Sequence, residues 1–116
     1  MTKENKELLL KDLSARLPYG VILSCCDTVG EKLTSIDEKG LVNHDYDIDE
    51  IKPYLFPMSS MTDEQKKEYN YITERWMYDS SYSISDSVDW LNAHHFDYRN
   101  LINKNLAIDC TNLNIY

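Results

Sequence analysis

The chain has 116 residues, a formal net charge of −8 and 42% apolar residues. This length fits one domain spanning residues 1–116. Its sequence lacks the clustered lysines and arginines that neutralise nucleic-acid phosphates, and no apolar run approaches the roughly 20 residues of a membrane span. We therefore expect a cytoplasmic protein that binds neither nucleic acid nor membrane directly.

The first predicted element is an amphipathic helix over residues 2–17. Leu9, Leu13 and Leu17 recur at the helical spacing i, i+4, i+8, and charged residues occupy the opposite side. Pro18 ends the helix, because proline cannot continue its hydrogen bonding.

Three short strands are predicted next, over residues 21–26, 31–36 and 41–46. Short glycine-containing turns join them, which indicates an antiparallel meander. Whether the sheet closes into a barrel stays open at this stage. Residues 47–57 carry two prolines around an apolar cluster and are predicted to form an extended or single-turn connector across the core.

The C-terminal half is predicted to contain two helices. Thr62 and Gln65 have the spacing of a capping box, which starts a helix that runs to about Met77. A second helix is predicted over residues 86–95, with Ser85 as its N-cap.

Three smaller features follow these helices in the sequence. Asp97 is expected to cap a further turn through Leu101 and Ile102, and Lys104–Asn105 to form a left-handed turn. A last short strand is expected at 106–108. Together these elements predict an α+β fold, in which an N-terminal helix and C-terminal helices pack on a small antiparallel meander.

The cysteines and glycines argue against common cofactor sites. Cys25, Cys26 and Cys110 are an odd set without a C-x-x-C motif, so we expect reduced thiols. None of the three glycines has phosphate-loop spacing. No cofactor is predicted.

The histidines raise a metal hypothesis. His94 and His95 are adjacent, so on a helix they point about 100° apart and cannot readily share one ion. His94 could instead join Asp97, or His44 from the predicted sheet. The competing interpretation is one half-buried and one exposed histidine without a metal.

A second metal hypothesis comes from Asp37, Glu50 and Lys52. They loosely follow the D…E-x-K pattern of two carboxylates that hold Mg²⁺ and a lysine that assists phosphodiester cleavage. Twenty acidic residues make such a pattern common by chance, and Pro53 interrupts the strand it needs.

Large rings are concentrated in the C-terminal half of the sequence. Tyrosine and tryptophan combine contact area with a polar group, which suits a protein interface or a pocket for a flat ligand. The alternative is ordinary core packing. The residues predicted to bind a ligand or partner are Trp76, Trp90, His94, Tyr98 and Arg99.

Three segments carry a resemblance to a known family. They are LLLKDLSARLPYGV (8–21), IKPYLFPMSSMT (51–62) and DWLNAHHFDYRNLI (89–102). With them, the chain resembles a family of small uncharacterised proteins of gut Bacteroidales and their phages, whose members have glycine at Asn100 and Asn105. The resemblance implies a cytoplasmic accessory protein and brings no activity or site residue.

The sequence favours a non-enzymatic binding module that contacts a protein partner through its aromatic C-terminal half. One alternative is a phage-type anti-defence protein that sequesters a nucleotide signal. A small metal-dependent hydrolase is another, and acidic mimicry of nucleic acid is a weaker fourth hypothesis.

Overall fold

A computed structural model describes residues 1–25, 28–75 and 84–116, and it has the predicted α+β fold. The helices are α1 (Lys3–Arg16), α2 (Asp63–Arg75) and α3 (Ile84–Ala93). The strands are β1 (Ile22–Cys25), β2 (Thr28–Lys32), β3 (Ile51–Pro57), β4 (Phe96–Asp97) and β5 (Ile108–Asp109). Cys26 and Trp76 lie outside the described residues. Over the described ranges, no helix is long and apolar enough to cross a membrane.

The sheet is organised around β3. β1 pairs antiparallel with both β2 and β3, whereas β4 and β5 each pair parallel with β3. The strand order is β2-β1-β3-β4, with β5 also on β3. The sheet is therefore mixed and open, and no barrel forms. Of the predicted antiparallel meander, the pairing of β1 with β2 is found, with β2 at Thr28–Lys32 and not at 31–36.

The third predicted strand, 41–46, was placed too early. This segment makes only isolated bridges, and it turns sharply because Asn43 and His44 have φ of 53° and 65°. The strand is instead the predicted connector, where Ile51, Tyr54 and Leu55 are buried. Covering this apolar cluster outweighs the ladder hydrogen bond that Pro53 cannot donate.

Helix α1 follows the prediction closely. Thr2 caps it by accepting a hydrogen bond from the backbone N–H of Asn5 at 3.1 Å. Leu9 and Leu13 are completely buried against the sheet. After the helix, Gly20 has φ of 68°, a left-handed conformation that glycine adopts without strain.

The two later helices differ in how well their starts were predicted. The Thr62–Gln65 capping box of α2 is confirmed, with reciprocal hydrogen bonds of 3.1 and 2.9 Å. Ser85 was expected to be the N-cap of the next helix, but α3 begins at Ile84 and Ser85 lies inside its first turn. Phe96 and Asp97, which follow the predicted helix, form strand β4.

The turn after β4 follows the capping prediction. Asp97 accepts hydrogen bonds from the backbone N–H groups of Leu101 and Ile102, each at 2.9 Å. Asn105 is left-handed as expected, with φ of 60°, and Asn100 is left-handed too, with φ of 62°. Both positions thus have the geometry that glycine would also supply.

Two buried clusters hold the described elements together. The larger lies between α1, the sheet and the turn after β4, and includes Leu9, Leu23 and Leu101. The smaller packs α2 and α3 against β4 through Met61, Trp90, Leu91 and Phe96. Most of the aromatic side chains of the C-terminal half that are buried in the described structure belong to this smaller cluster.

Candidate functional site

A groove opens where the three parallel strands end. Pro57 closes β3, Asp97 closes β4 and Asp109 closes β5, and all three residues line the groove. Its volume is about 440 Å³, within the roughly 300–1,000 Å³ of typical ligand sites. The carboxyl ends of parallel strands are a common binding location, because the loops that follow them converge there.

The groove has a mixed apolar and polar lining. Met58 stands at its rim with 36% of its surface exposed, and Ile102 adds a second, half-buried apolar side chain. Asn100 and Asn103 supply amide groups, and the Asn103 amide donates to the Asn100 carbonyl oxygen at 2.7 Å. The rim can therefore both donate and accept hydrogen bonds.

Two carboxylates lie in the groove. Asp97 is 8% exposed and each of its oxygens accepts one backbone N–H, which fixes its position. Asp109 is exposed, and its Oδ1 accepts from the backbone N–H of Thr111 at 2.9 Å. Within the described part of the chain, no Lys, Arg or His lines this groove.

Tyr98 is held rigidly on one side of the groove. Its hydroxyl donates to Oδ1 of Asn92 at 2.8 Å. The guanidinium carbons of Arg16 and Arg99 lie 5.1 and 4.9 Å from the centre of its ring, in cation–π range. Two of the five predicted binding residues, Tyr98 and Arg99, thus already make contacts within the protein.

Behind Tyr98 lies a buried charged network that sequence reasoning missed. Arg16 and Asp12 are completely buried and their side chains are 2.7 Å apart. Arg16 also donates to the carbonyl oxygen of Phe96 at 2.6 Å, and Arg99 reaches Oδ1 of Asp12 at 3.2 Å. The network ties α1 to β4 and so positions the wall that carries Tyr98.

Trp90 and His94 form a separate stack. Their ring centres are 4.0 Å apart, and His94 Nδ1 lies 2.8 Å from the carbonyl oxygen of Trp90. Trp90 also lies parallel to Phe96 and contacts Tyr69. Trp90 is only 7% exposed, so most of its surface is used in packing.

The next residue, His95, forms a second histidine stack with a different ring. The rings of His95 and Tyr116 are nearly parallel, with centres 3.7 Å apart. Burial lowers the pKa of His95 to about 4, helped by the nearby charges of Arg16 and His94. The Nδ1 atom of His95 is buried and has no hydrogen-bond partner among the described residues. This ring is therefore neutral at physiological pH.

The remaining candidates are metal ligands and thiols. Across residues 1–25, 28–75 and 84–116, no three His, Cys, Asp or Glu side chains are grouped to hold a metal ion. Cys25 and Cys110 are buried and not in a disulfide. Burial raises the pKa of Cys110 to about 11, so it is a protonated thiol.

The chain matches no protein-family model, no curated protein and no solved structure. The resemblance to the Bacteroidales and phage proteins therefore stays a prediction.

Proposed function

We propose that the chain is a non-enzymatic binding module that docks a protein partner in the groove at the ends of β3, β4 and β5. The observation that carries this proposal is the groove's composition: the exposed Met58, the half-buried Ile102 and the amides of Asn100 and Asn103 around a rigid Tyr98. Methionine and tyrosine are enriched where proteins meet, and wet amide rims are common there.

The rigidity of the groove wall supports binding. Tyr98 is fixed by Asn92 and by two guanidinium groups, and the turn after β4 is fixed by the Asp97 carboxylate. A preformed wall loses little conformational entropy when a partner docks. Among the predicted aromatic binding residues that are described, only Tyr98 lines the groove, because Trp90 and His94 pack elsewhere.

An anionic nucleotide fits this groove less well than a polypeptide. Asp97 and Asp109 both line it, and the described lining carries no cationic side chain. A phosphate group would lie near like charges and lose its hydration without a positive partner. A nucleotide is therefore a poorer occupant of this groove than a polypeptide.

The test is site-specific photo-crosslinking in the cell that encodes the protein. A photoreactive amino acid is placed at Met58 or at Asn103, on the groove rim, and at Glu68 as an exposed control on α2. We expect the same protein adduct from both rim positions and none from Glu68. Met58→Asp should remove the adduct formed from position 103.

Two outcomes would contradict the proposal. One is an identical adduct from Glu68 and the rim positions, which indicates non-specific contact. The other is the absence of any protein adduct from either rim position when the chain is folded and expressed at its normal level.

A further inference from the structure

The buried carboxylates of Asp12 and Asp97 have different partners. Asp12 is completely buried and held by the guanidinium groups of Arg16 and Arg99, at 2.7 and 3.2 Å. Asp97 is 8% exposed and accepts two backbone N–H groups, but it has no cationic partner among the described residues. Buried charges in proteins are normally paired, because an unpaired charge loses its hydration.

Asp97, whose carboxylate has no cationic partner among the described residues, lines the groove, and Asp109 lines it too. Asp109 uses Oδ1 to hold Thr111, and its Oδ2 has no partner in the described part of the chain. Two formal negative charges thus share one cavity that has no cationic side chain in its described lining. Such a cavity concentrates field lines and attracts a positive group.

The rest of the lining fits a particular kind of cation. Met58 and Ile102 offer apolar surface, and Asn103 and Asn100 offer amide groups at the rim. A long side chain with an apolar stem and a charged end suits this lining. Its methylenes can pack on the apolar side chains while its charged end stays in polar surroundings. The guanidinium of arginine adds donors that can bind two carboxylates at once.

We propose that the groove takes an arginine or lysine side chain from a basic segment of the partner, with Asp97 and Asp109 as its counter-ions. This proposal rests on the proposed function, because it names the chemistry of the segment that docks there. A volume of about 440 Å³ accommodates one long side chain with flanking backbone.

The first experiment uses short capped peptides and nuclear magnetic resonance of the isotopically labelled full chain. Three peptides have serine and glycine flanks and differ only in the central residue: arginine, citrulline or glutamate. Citrulline keeps the shape of arginine without its charge. We expect the arginine peptide to shift the amides around Asp97 and Asp109 with a Kd of about 1 mM, and citrulline to bind at least about ten times more weakly.

Asp109→Asn is the matched variant. It removes one charge but keeps the Oδ1 acceptor that Thr111 uses, so the fold should be unaffected. We expect it to weaken the arginine peptide about fivefold or more. Asp45→Asn removes the same charge from an exposed turn outside the groove and should leave the affinity unchanged.

The inference is overturned if the arginine and citrulline peptides bind equally, if neither shifts a groove amide, or if Asp109→Asn has no effect. These failures differ from failure of the proposed function. A partner that crosslinks to the groove through a segment without arginine or lysine would contradict the basic-segment inference alone. No crosslinked partner at all would sink the proposed function.

Discussion

His95 is an imidazole that the fold keeps neutral. Its backbone is left-handed, with φ of 63°, and its carbonyl oxygen accepts the N–H of Phe56 at 2.8 Å. The ring is covered by Tyr116 on one face. Desolvation by this packing is the largest cause of its lowered pKa, and the positive charge of Arg16 adds to it. Protonation must therefore oppose folding.

The pH dependence of stability should reveal this. The folded-state pKa is about 4 and the ordinary value is 6.5, so between them the unfolded chain binds more protons than the folded one. The His95 contribution is fully present above pH 6.5 and is lost as pH falls towards 4. We expect a loss on the order of 1 kcal/mol after allowance for partial exposure, measured by urea unfolding at several pH values.

His95→Asn is the informative variant, because asparagine tolerates the left-handed backbone. The difference in unfolding free energy between wild type and His95→Asn should shrink as pH falls from 6.5 to 4. His44→Asn is the control, since His44 is exposed and also left-handed, with φ of 65°. A wild-type minus His95→Asn difference that stays constant over this range would refute the assignment.

Single residues also show where sequence reasoning fell short. Asp12 and Arg16 are not among the residues predicted for the core or the site, yet they follow Leu9 and Leu13 at helical spacing on the same face. The periodicity could thus have placed them in the core. Their partners could not be predicted, because the carbonyl of Phe96 and the guanidinium of Arg99 reach them only through tertiary folding.

At the scale of elements, the turn between β4 and β5 depends on two left-handed asparagines. Asn105 has φ of 60° and its side-chain oxygen accepts from Lys52 Nζ at 2.9 Å. Alanine has no special tolerance for this conformation, whereas glycine adopts it freely. Asn105→Ala and Asn105→Gly both remove the exposed contact to Lys52. The difference in stability between these two variants therefore reports the cost of the left-handed backbone.

We therefore expect Asn105→Ala to lower the unfolding free energy by about 1 kcal/mol more than Asn105→Gly. Thermal or urea unfolding measures this difference. Asn112→Ala is the control, because Asn112 is an exposed turn residue that is not left-handed. If Asn105→Ala and Asn105→Gly were equally stable, backbone conformation would not be what the asparagine provides.

The elements that could be predicted are those with a local signal. The capping box of α2 and the Asp97 turn are each set by residues within a few positions, and both were found. Strand β3 was predicted as a connector, because two prolines in a short segment are typical of a connector and not of a strand. Its strand geometry comes from pairing with β1, β4 and β5, which no local pattern reveals.

The groove itself belongs to the scale of the whole molecule. β4 and β5 have two residues each, too short for any periodic pattern, and both become visible only because they pair parallel with β3. Of the predicted binding residues, Tyr98 alone is among the described side chains that line the groove. The sequence points to the aromatic C-terminal half, which supplies Tyr98, whereas Pro57 and Met58 join the groove only through the tertiary fold.

Tyr116 connects the end of this sequence to two strands. Its hydroxyl accepts the N–H of Ile22 at 2.8 Å and donates to the carbonyl oxygen of Tyr54 at 2.9 Å. The β1–β3 pairing ends at Leu23 and Pro53, so the hydroxyl occupies the next rung of the ladder. Burial raises the pKa of Tyr116 well above its ordinary value of 10.0, which keeps the donating proton in place.

Tyr116→Phe should lower the unfolding free energy by about 0.5–1.5 kcal/mol, because it removes the hydroxyl that bridges a strand donor and acceptor. In wild type, the folded-state pKa lies above 10, so the contribution is present below pH 10 and is lost as pH rises beyond it. The variant should show less of this alkaline loss in urea unfolding. Tyr71→Phe is the control, since Tyr71 is 54% exposed on α2. Equal alkaline loss in wild type and Tyr116→Phe would mean that this hydroxyl does not join the strands.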